Sequence, residues 1–187
     1  MTDSDERQDQ RQRPEPAGRT SLKWLWVSGA VLLADQLTKA LVVTYMQEYQ
    51  RIAIWPFFDL VRRHNTGAAF SILSEASGWQ HWLFIGLGIA VSGWIIWWQW
   101  RMPKLNHRVL ALGLALVLGG AIGNVIDRIM YGHVVDFLLF YYREWQYPAF
   151  NVADSAITIG VILIVFDGFF LERKRGGRRA SDFPQSN

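Results

Sequence analysis

The chain has 187 residues, 51% of them hydrophobic, with a formal net charge of +3 and no cysteine. That length would suit one soluble domain, but the apolar residues are gathered in blocks, which points to a small membrane protein. The absence of cysteine excludes disulfides, thiolate catalysis and cysteine metal ligands, so a segment outside the bilayer must be held by packing alone.

Residues 1–22 are mixed in charge, rich in Gln, Arg and Pro, and almost free of large apolar side chains. They cannot bury enough surface to offset the entropy of ordering, and a disordered leader is expected. A cleaved signal peptide over residues 21–34 is the competing reading. Against it, the apolar pattern resumes after Lys39 and no small-residue cleavage site precedes it.

Four blocks can cross a hydrocarbon core that needs about 20 helical residues. They are Trp24 to Met46, Trp82 to Trp100, Val109 to Ile126 and Ala149 to Leu171. The expected fold is an α-helical integral membrane protein whose peptide segments over residues 23–171 form one unit, followed by a basic tail at residues 172–187. Five Lys and Arg precede Trp24, three lie between Arg101 and Arg108, and five follow Leu171. The other two connections share only Arg51, Arg62, Arg63, Arg128 and Arg143. Basic residues near helix ends stay in the cytoplasm, so both termini should be cytoplasmic, with residues 47–81 and 127–148 facing outward. The ten Trp and six Tyr gather near the predicted helix ends, where rings anchor at headgroup level.

The outer segments carry strand signals. Arg51 to Val61 is rich in Ile and Phe around one Pro, and Val134 to Tyr142 is nearly all apolar or aromatic. A small extracytoplasmic β-structure is therefore expected, since extended backbone must lie outside lipid or against protein.

The polar residues within this apolar frame carry the functional signal. Asp35, Thr38 and Lys39 fall at i, i+3 and i+4, so the acid can pair with the base on one helical face. A structural ion pair and a substrate contact both fit that spacing. In the first outward segment Asn65 precedes Thr66 and Gly67, which reads as a turn with glycine free to take positive φ. His64 and His133 are not at metal-ligand spacing, and no metal is expected. The third helix ends in Gly119, Gly120, Ala121 and Gly123, a smooth surface for close helix approach. Asn124, Asp127 and Arg128 then form a polar face as the helix leaves the bilayer.

The fourth helix opens with Asn151, Asp154, Ser155 and Thr158 at i, i+3, i+4 and i+7, a polar stripe expected to face the bundle. From a start at Ala149, Asp154 would lie about five residues, or roughly 7 Å, inside the helix. Asp136 arrives on the extended link between helices three and four, where it can approach Asp154 from the outer side. Two carboxylates about 3 Å apart do not both ionise readily, so one stays protonated while the other acts as a base. Such a pair can activate water against a peptide carbonyl and protonate the leaving amine. It can also relay protons, and spacing alone does not choose.

Taken together, five strings in order resemble the bacterial lipoprotein signal peptidases, the type II signal peptidases. They are Asp-Gln-Leu-Thr-Lys from Asp35, Asn-Thr-Gly-Ala-Ala-Phe from Asn65, Gly-Asn-Val-Ile-Asp-Arg from Gly123, Val-Val-Asp-Phe from Val134, and Phe-Asn-Val-Ala-Asp-Ser from Phe150. The resemblance implies an intramembrane aspartic peptidase of the bacterial inner membrane that removes signal peptides from diacylglyceryl-modified prolipoproteins, cutting just before the lipidated cysteine. It implies four helices with a small outer β-structure that cradles substrate, and no cofactor or metal. The expected partners are prolipoprotein substrates and membrane lipid, with no nucleic acid, and the enzyme is expected to be a monomer. The implied catalytic dyad is Asp136 and Asp154; Asn65, Asn124, Asp127, Arg128, Asn151, Ala153, Asp35 and Lys39 match other motif positions that shape the site, bind substrate or support the fold. Asp127 is the competing partner for Asp154, although its neighbour Arg128 and its face with Asn124 suit a structural network better. A proton-coupled transporter or channel subunit is the rival class, and it predicts polar residues across the full membrane depth. A non-catalytic adaptor using the basic tail would leave the two outer aspartates unexplained.

Overall fold

A computed structural model of the chain describes residues 22–67, 79–102 and 107–171. The expected leader (apart from Leu22), the basic tail, Ala68 to Phe70 of the Asn65 string and the middle of the Arg101 to Arg108 turn lie outside the described residues.

Helix α1 (Leu25–Tyr45) follows a 3-10 turn at Leu22–Trp24; α2 spans Trp79–Arg101, α3 Arg108–Tyr131 and α4 Val152–Phe166, the last continued by a π-helical turn at Asp167–Leu171. With those extensions all four are long and apolar enough to cross a bilayer. Helix α3 touches the other three and is the central one. Of its most apolar stretch 61% is buried, against 28% or less for the others. Those outer helices turn Leu33, Leu37, Leu87, Ile89, Ile159 and Ile162 outward. Lipid tails are as apolar as leucine, so a bundle in lipid gains nothing by hiding them.

Small residues set the packing instead. Helices α3 and α4 approach at Gly113 against Gly160 and at Gly120 against Ala153; a methyl on Gly113 would stand 2.8 Å from the Gly160 carbonyl oxygen. Ser28 Oγ donates to the Ala115 carbonyl at 2.8 Å, tying α1 to α3. Ile95, Met102, Leu114 and Leu118 fill the half of the bundle farthest from the sheet.

Strands β1 (Arg51–Trp55), β2 (Phe58–Asn65), β3 (Val134–Tyr142) and β4 (Trp145–Gln146) form an antiparallel sheet in sequence order. The stretch from Arg51 to Val61 is thus a hairpin, because Pro56 cannot donate to a ladder and forms the turn with Phe57. A register shift between Leu60 and Arg63 re-aims the end of β2, setting Asn65 opposite Val134 and Arg63 opposite Asp136. Val42 of α1 and Met46 just after it pack with Val135 and Phe137, which seats the sheet on the bundle.

Helix α3 carries Asp127 and Arg128 as expected, runs on beyond the apolar span to Tyr131 and stops at Gly132, which takes φ 78 and donates its N–H to the Arg128 carbonyl at 3.0 Å. One helix boundary differs from the sequence reading. Helix α4 begins at Val152, not Ala149, because the Asn151 side chain caps it. Asp154 consequently stands in the first turn rather than five residues deep. The stripe also stops short: Thr158 is exposed and its hydroxyl bonds back to the Asp154 carbonyl, while Ala153, Ala156 and Gly160 make the buried face.

Candidate active site

The link from β3 to α4 fixes the centre of the site. Leu138 and Phe150 exchange backbone hydrogen bonds at 2.8 and 3.0 Å, which folds the chain back so that Asn151 reaches Asp136. Asn151 is fully buried and serves both carboxylates. Its Nδ2 donates to Asp136 Oδ1 at 2.8 Å; its backbone N–H donates to Asp154 Oδ2 at 3.2 Å; its Oδ1 accepts the Asp154 N–H at 2.9 Å. The last two bonds are a reciprocal capping box, so the device that starts α4 also aims Asp154.

Asp136 is buried at 3% exposure, with its other oxygen accepting Asn65 Nδ2 at 2.9 Å. Asn65 is itself braced by the turn expected from sequence: its Oδ1 accepts the Gly67 N–H at 2.8 Å, and Gly67 takes φ 90. Burial, and then the neighbouring charge of Asp154, push the Asp136 carboxyl up to about 7; the Asn65 and Asn151 hydrogen bonds act against that rise. Asp154 Oδ1 accepts Asn124 Nδ2 at 2.8 Å.

A second polar layer lies beneath. Lys39 Nζ has three protons and meets three acceptors: Asp35 Oδ2 at 2.8 Å, Asp127 Oδ2 at 2.8 Å and Asn124 Oδ1 at 3.0 Å. The expected Asp35 and Lys39 pair is therefore part of a larger network. Asp35 also accepts the Ala153 N–H at 2.9 Å, and Gly123 leaves room for it, since a methyl there would stand 2.6 Å from Asp35 Oδ2. Asp127, 1% exposed, accepts from Lys39 and from the Val135 N–H at 3.3 Å on one oxygen and from Gln36 Nε2 at 2.9 Å on the other. Arg128 donates to the Asn124 carbonyl at 3.1 Å, its guanidinium carbon lies 5.1 Å from the centre of the Phe84 ring, and its charge reaches Asp154, Asp136 and Asp127.

The fold thus gathers Asp35, Lys39, Asn65, Asn124, Asp127, Arg128, Asp136, Asn151, Ala153 and Asp154 into one two-layered cluster at the sheet end of the bundle. Thr38 is not part of it: its hydroxyl bonds to the Ala34 and Asp35 carbonyls of its own helix. Gln36 lies within the Asp35 to Lys39 string but was given no role of its own; it joins the cluster by donating to Asp127. Asp59 was missed; it is buried and paired with Arg51, which stacks on Tyr141 and pins β1 to β2 and β3. His64 and His133, distant in sequence, stack with ring centroids 3.8 Å apart.

This fold and cluster define a class: a multi-pass membrane protein with a buried carboxylate, Asp136, and a half-buried one, Asp154, tied together under a small sheet. A family model described as signal peptidase (SPase) II matches residues 27–170, and the chain belongs to that peptidase family. The chain is 50% identical over 155 residues to a lipoprotein signal peptidase of Acinetobacter baylyi, covering 83% of this chain and 86% of that one. It is also 50% identical over 164 residues to a lipoprotein signal peptidase of Paraburkholderia phymatum, covering 88% and 96%. A bacterial membrane enzyme solved by the in meso method is similar in structure, with a TM-score of 0.68 and 29% identity over 79% of this chain and 93% of that one.

Proposed function

We propose that the protein removes the signal peptide from diacylglyceryl-modified prolipoproteins by aspartic chemistry at Asp136 and Asp154, cutting just before the lipidated cysteine. The family supports the substrate class. The observation that carries the chemistry is the unequal treatment of two carboxylates joined through Asn151. Asp136 is buried and pushed up to about 7, while Asp154 sits in the first turn of α4, held by Asn124 and by backbone N–H. A helix N-terminus favours negative charge. Asp136 accordingly holds the shared proton and Asp154 takes one from water.

The substrate's signal helix enters sideways from the bilayer and its diacylglyceryl chains stay in lipid, which sets the scissile bond at the depth of the pair. Asp154 deprotonates the water, the water attacks the peptide carbonyl, and Asp136 gives its proton to the departing cysteine amine. Arg128, within electrostatic reach of both carboxylates, is suited to the carbonyl oxygen as charge develops on it. Asp127, buried and ion-paired with Lys39, is assigned to support. Both termini lie in the cytoplasm and the pair faces outward, following the basic residues. The enzyme resides in the bacterial cytoplasmic membrane and acts as a monomer.

The test is cleavage of a lipid-modified prolipoprotein by purified wild type, Asp136→Asn, Asp154→Asn and Asp127→Asn, with folding checked by thermal melting in detergent. The expected result is loss of cleavage by at least about 10³-fold in the first two, folded, with measurable turnover in the third. Turnover by Asp136→Asn with none by Asp127→Asn would reassign the pair. Equal cutting of a precursor without the diacylglyceryl group would overturn the lipid register.

A further inference from the structure

At the end of the bundle away from the carboxylates, α2, α3 and the end of α4 line a half-open cleft of about 470 Å³. That volume is within the range of small-ligand pockets, about 300–1,000 Å³, which are mostly apolar with a few polar groups. Trp98, Leu110 and Ile164 supply apolar wall, and Arg101, His107 and Asp167 supply the polar groups. The sequence reading gave none of these residues a role beyond membrane anchoring or topology.

The local structure is specific. Asp167 is only 2% exposed and opens the π-helical turn at Asp167–Leu171, an irregularity that recurs at functional sites. The Arg101 guanidinium lies over the Trp97 ring, 4.6 Å from its centre. An acid and a base thus share one cavity at the ends of transmembrane helices, where tryptophans sit at headgroup level. Apolar wall beside charged groups at a helix end matches the make-up of a lipid, whose acyl chains adjoin a charged headgroup.

We propose that this cavity binds the headgroup of a zwitterionic aminophospholipid. The phosphate lies against Arg101, the ammonium is turned toward Asp167, and the glycerol and upper acyl chains run along Trp98, Leu110 and Ile164. Charge decides the class. Phosphatidylethanolamine and phosphatidylglycerol bring the same single phosphate, and only the former adds an ammonium, which complements a buried carboxylate. A carboxylate has about four lone-pair sites, so the ammonium adds to the contacts that Asp167 already makes within the protein.

The experiment uses the full chain, delipidated in detergent, with thermal melting and native mass spectrometry on adding phosphatidylethanolamine, phosphatidylglycerol or phosphatidylcholine. Phosphatidylethanolamine should raise the melting temperature by about 5–10 °C at saturation and remain bound in the mass spectrum, with smaller shifts for the other two. Arg101→Gln, at an exposed helix end, should fold normally, cut substrate at the wild-type rate and lose most of that shift. Asp167→Asn, if it folds, should bind phosphatidylethanolamine and phosphatidylglycerol equally; if it does not, Leu110→Trp, which fills the cavity, should abolish the shift. Equal shifts with all three lipids, no shift with any, or a full phosphatidylethanolamine shift in Arg101→Gln would overturn the proposal.

Discussion

Asn65 and Asn151 each give one side-chain N–H to Asp136, and both bonds favour its charged form. Cleavage that depends on a protonated Asp136 should therefore fall as pH rises through about 7. In Asn65→Ala one of those bonds is gone, so the alkaline limb of kcat/KM against pH should move to higher pH, with a lower maximum. An unchanged limb would remove Asp136 from the role of acid. Stability follows with a definite sign. Asp136 binds its proton more tightly in the folded protein, so its contribution is fully present below 3.8 and is lost as pH rises to about 7. Melting of Asp136→Asn should lack that part of the slope. Asn151→Ala removes the helix cap and the side-chain donor to Asp136 while leaving the backbone N–H that holds Asp154, and should cost about 2–4 kcal/mol in denaturation along with most of the activity.

Among the elements, α3 and α4 carry the site and their spacing is set by glycine. A side chain at Gly120 would meet the Ala153 carbonyl, and Ala153 is the residue whose N–H holds Asp35. Gly120→Val should destabilise by about 1–3 kcal/mol through overpacking and lower kcat more than a surface change of equal cost. Differential melting against Gly86→Val, where a side chain meets open space, checks this. The lower network makes a harsher prediction. Lys39→Met strands Asp35 and Asp127 without their cation, and should cost about 3–5 kcal/mol, seen as loss of folded protein in detergent. These elements were legible in different degrees. Apolar blocks and strand composition announced the helices and the sheet because each is a local property. The start of α4 was misjudged because Ala149 and Phe150 continue the apolar run, while the Asn151 capping box that ends it depends on side-chain geometry. The last turn of α3 was not legible because Ile129, Met130 and Tyr131 follow polar residues and remain exposed, so only the stop at Gly132 marks where the helix ends.

On the scale of the whole molecule, the orientation proposed from the bias of Lys and Arg, with both termini in the cytoplasm and the sheet outside, is open to a direct test. A fluorescent protein fused at either terminus should glow in the cytoplasm, and alkaline phosphatase fused after Tyr142 should be active in the periplasm; the reverse pattern would invert the orientation. What the sequence alone determined was what is written in neighbouring residues: the spans, the strand segments, the charge bias, and the five short strings that carry the family likeness. What only the tertiary structure decided is which of those polar residues meet. Lys39 joins Asp35 four residues away but also Asp127 and Asn124 from another helix, Gln36 enters through Asp127, and Asn151 links Asp136 to Asp154. Those contacts depend on how closely glycine lets α3 approach its neighbours and on where the β3 link folds back. Both are set by the packing of segments far apart in the chain, which no local pattern records.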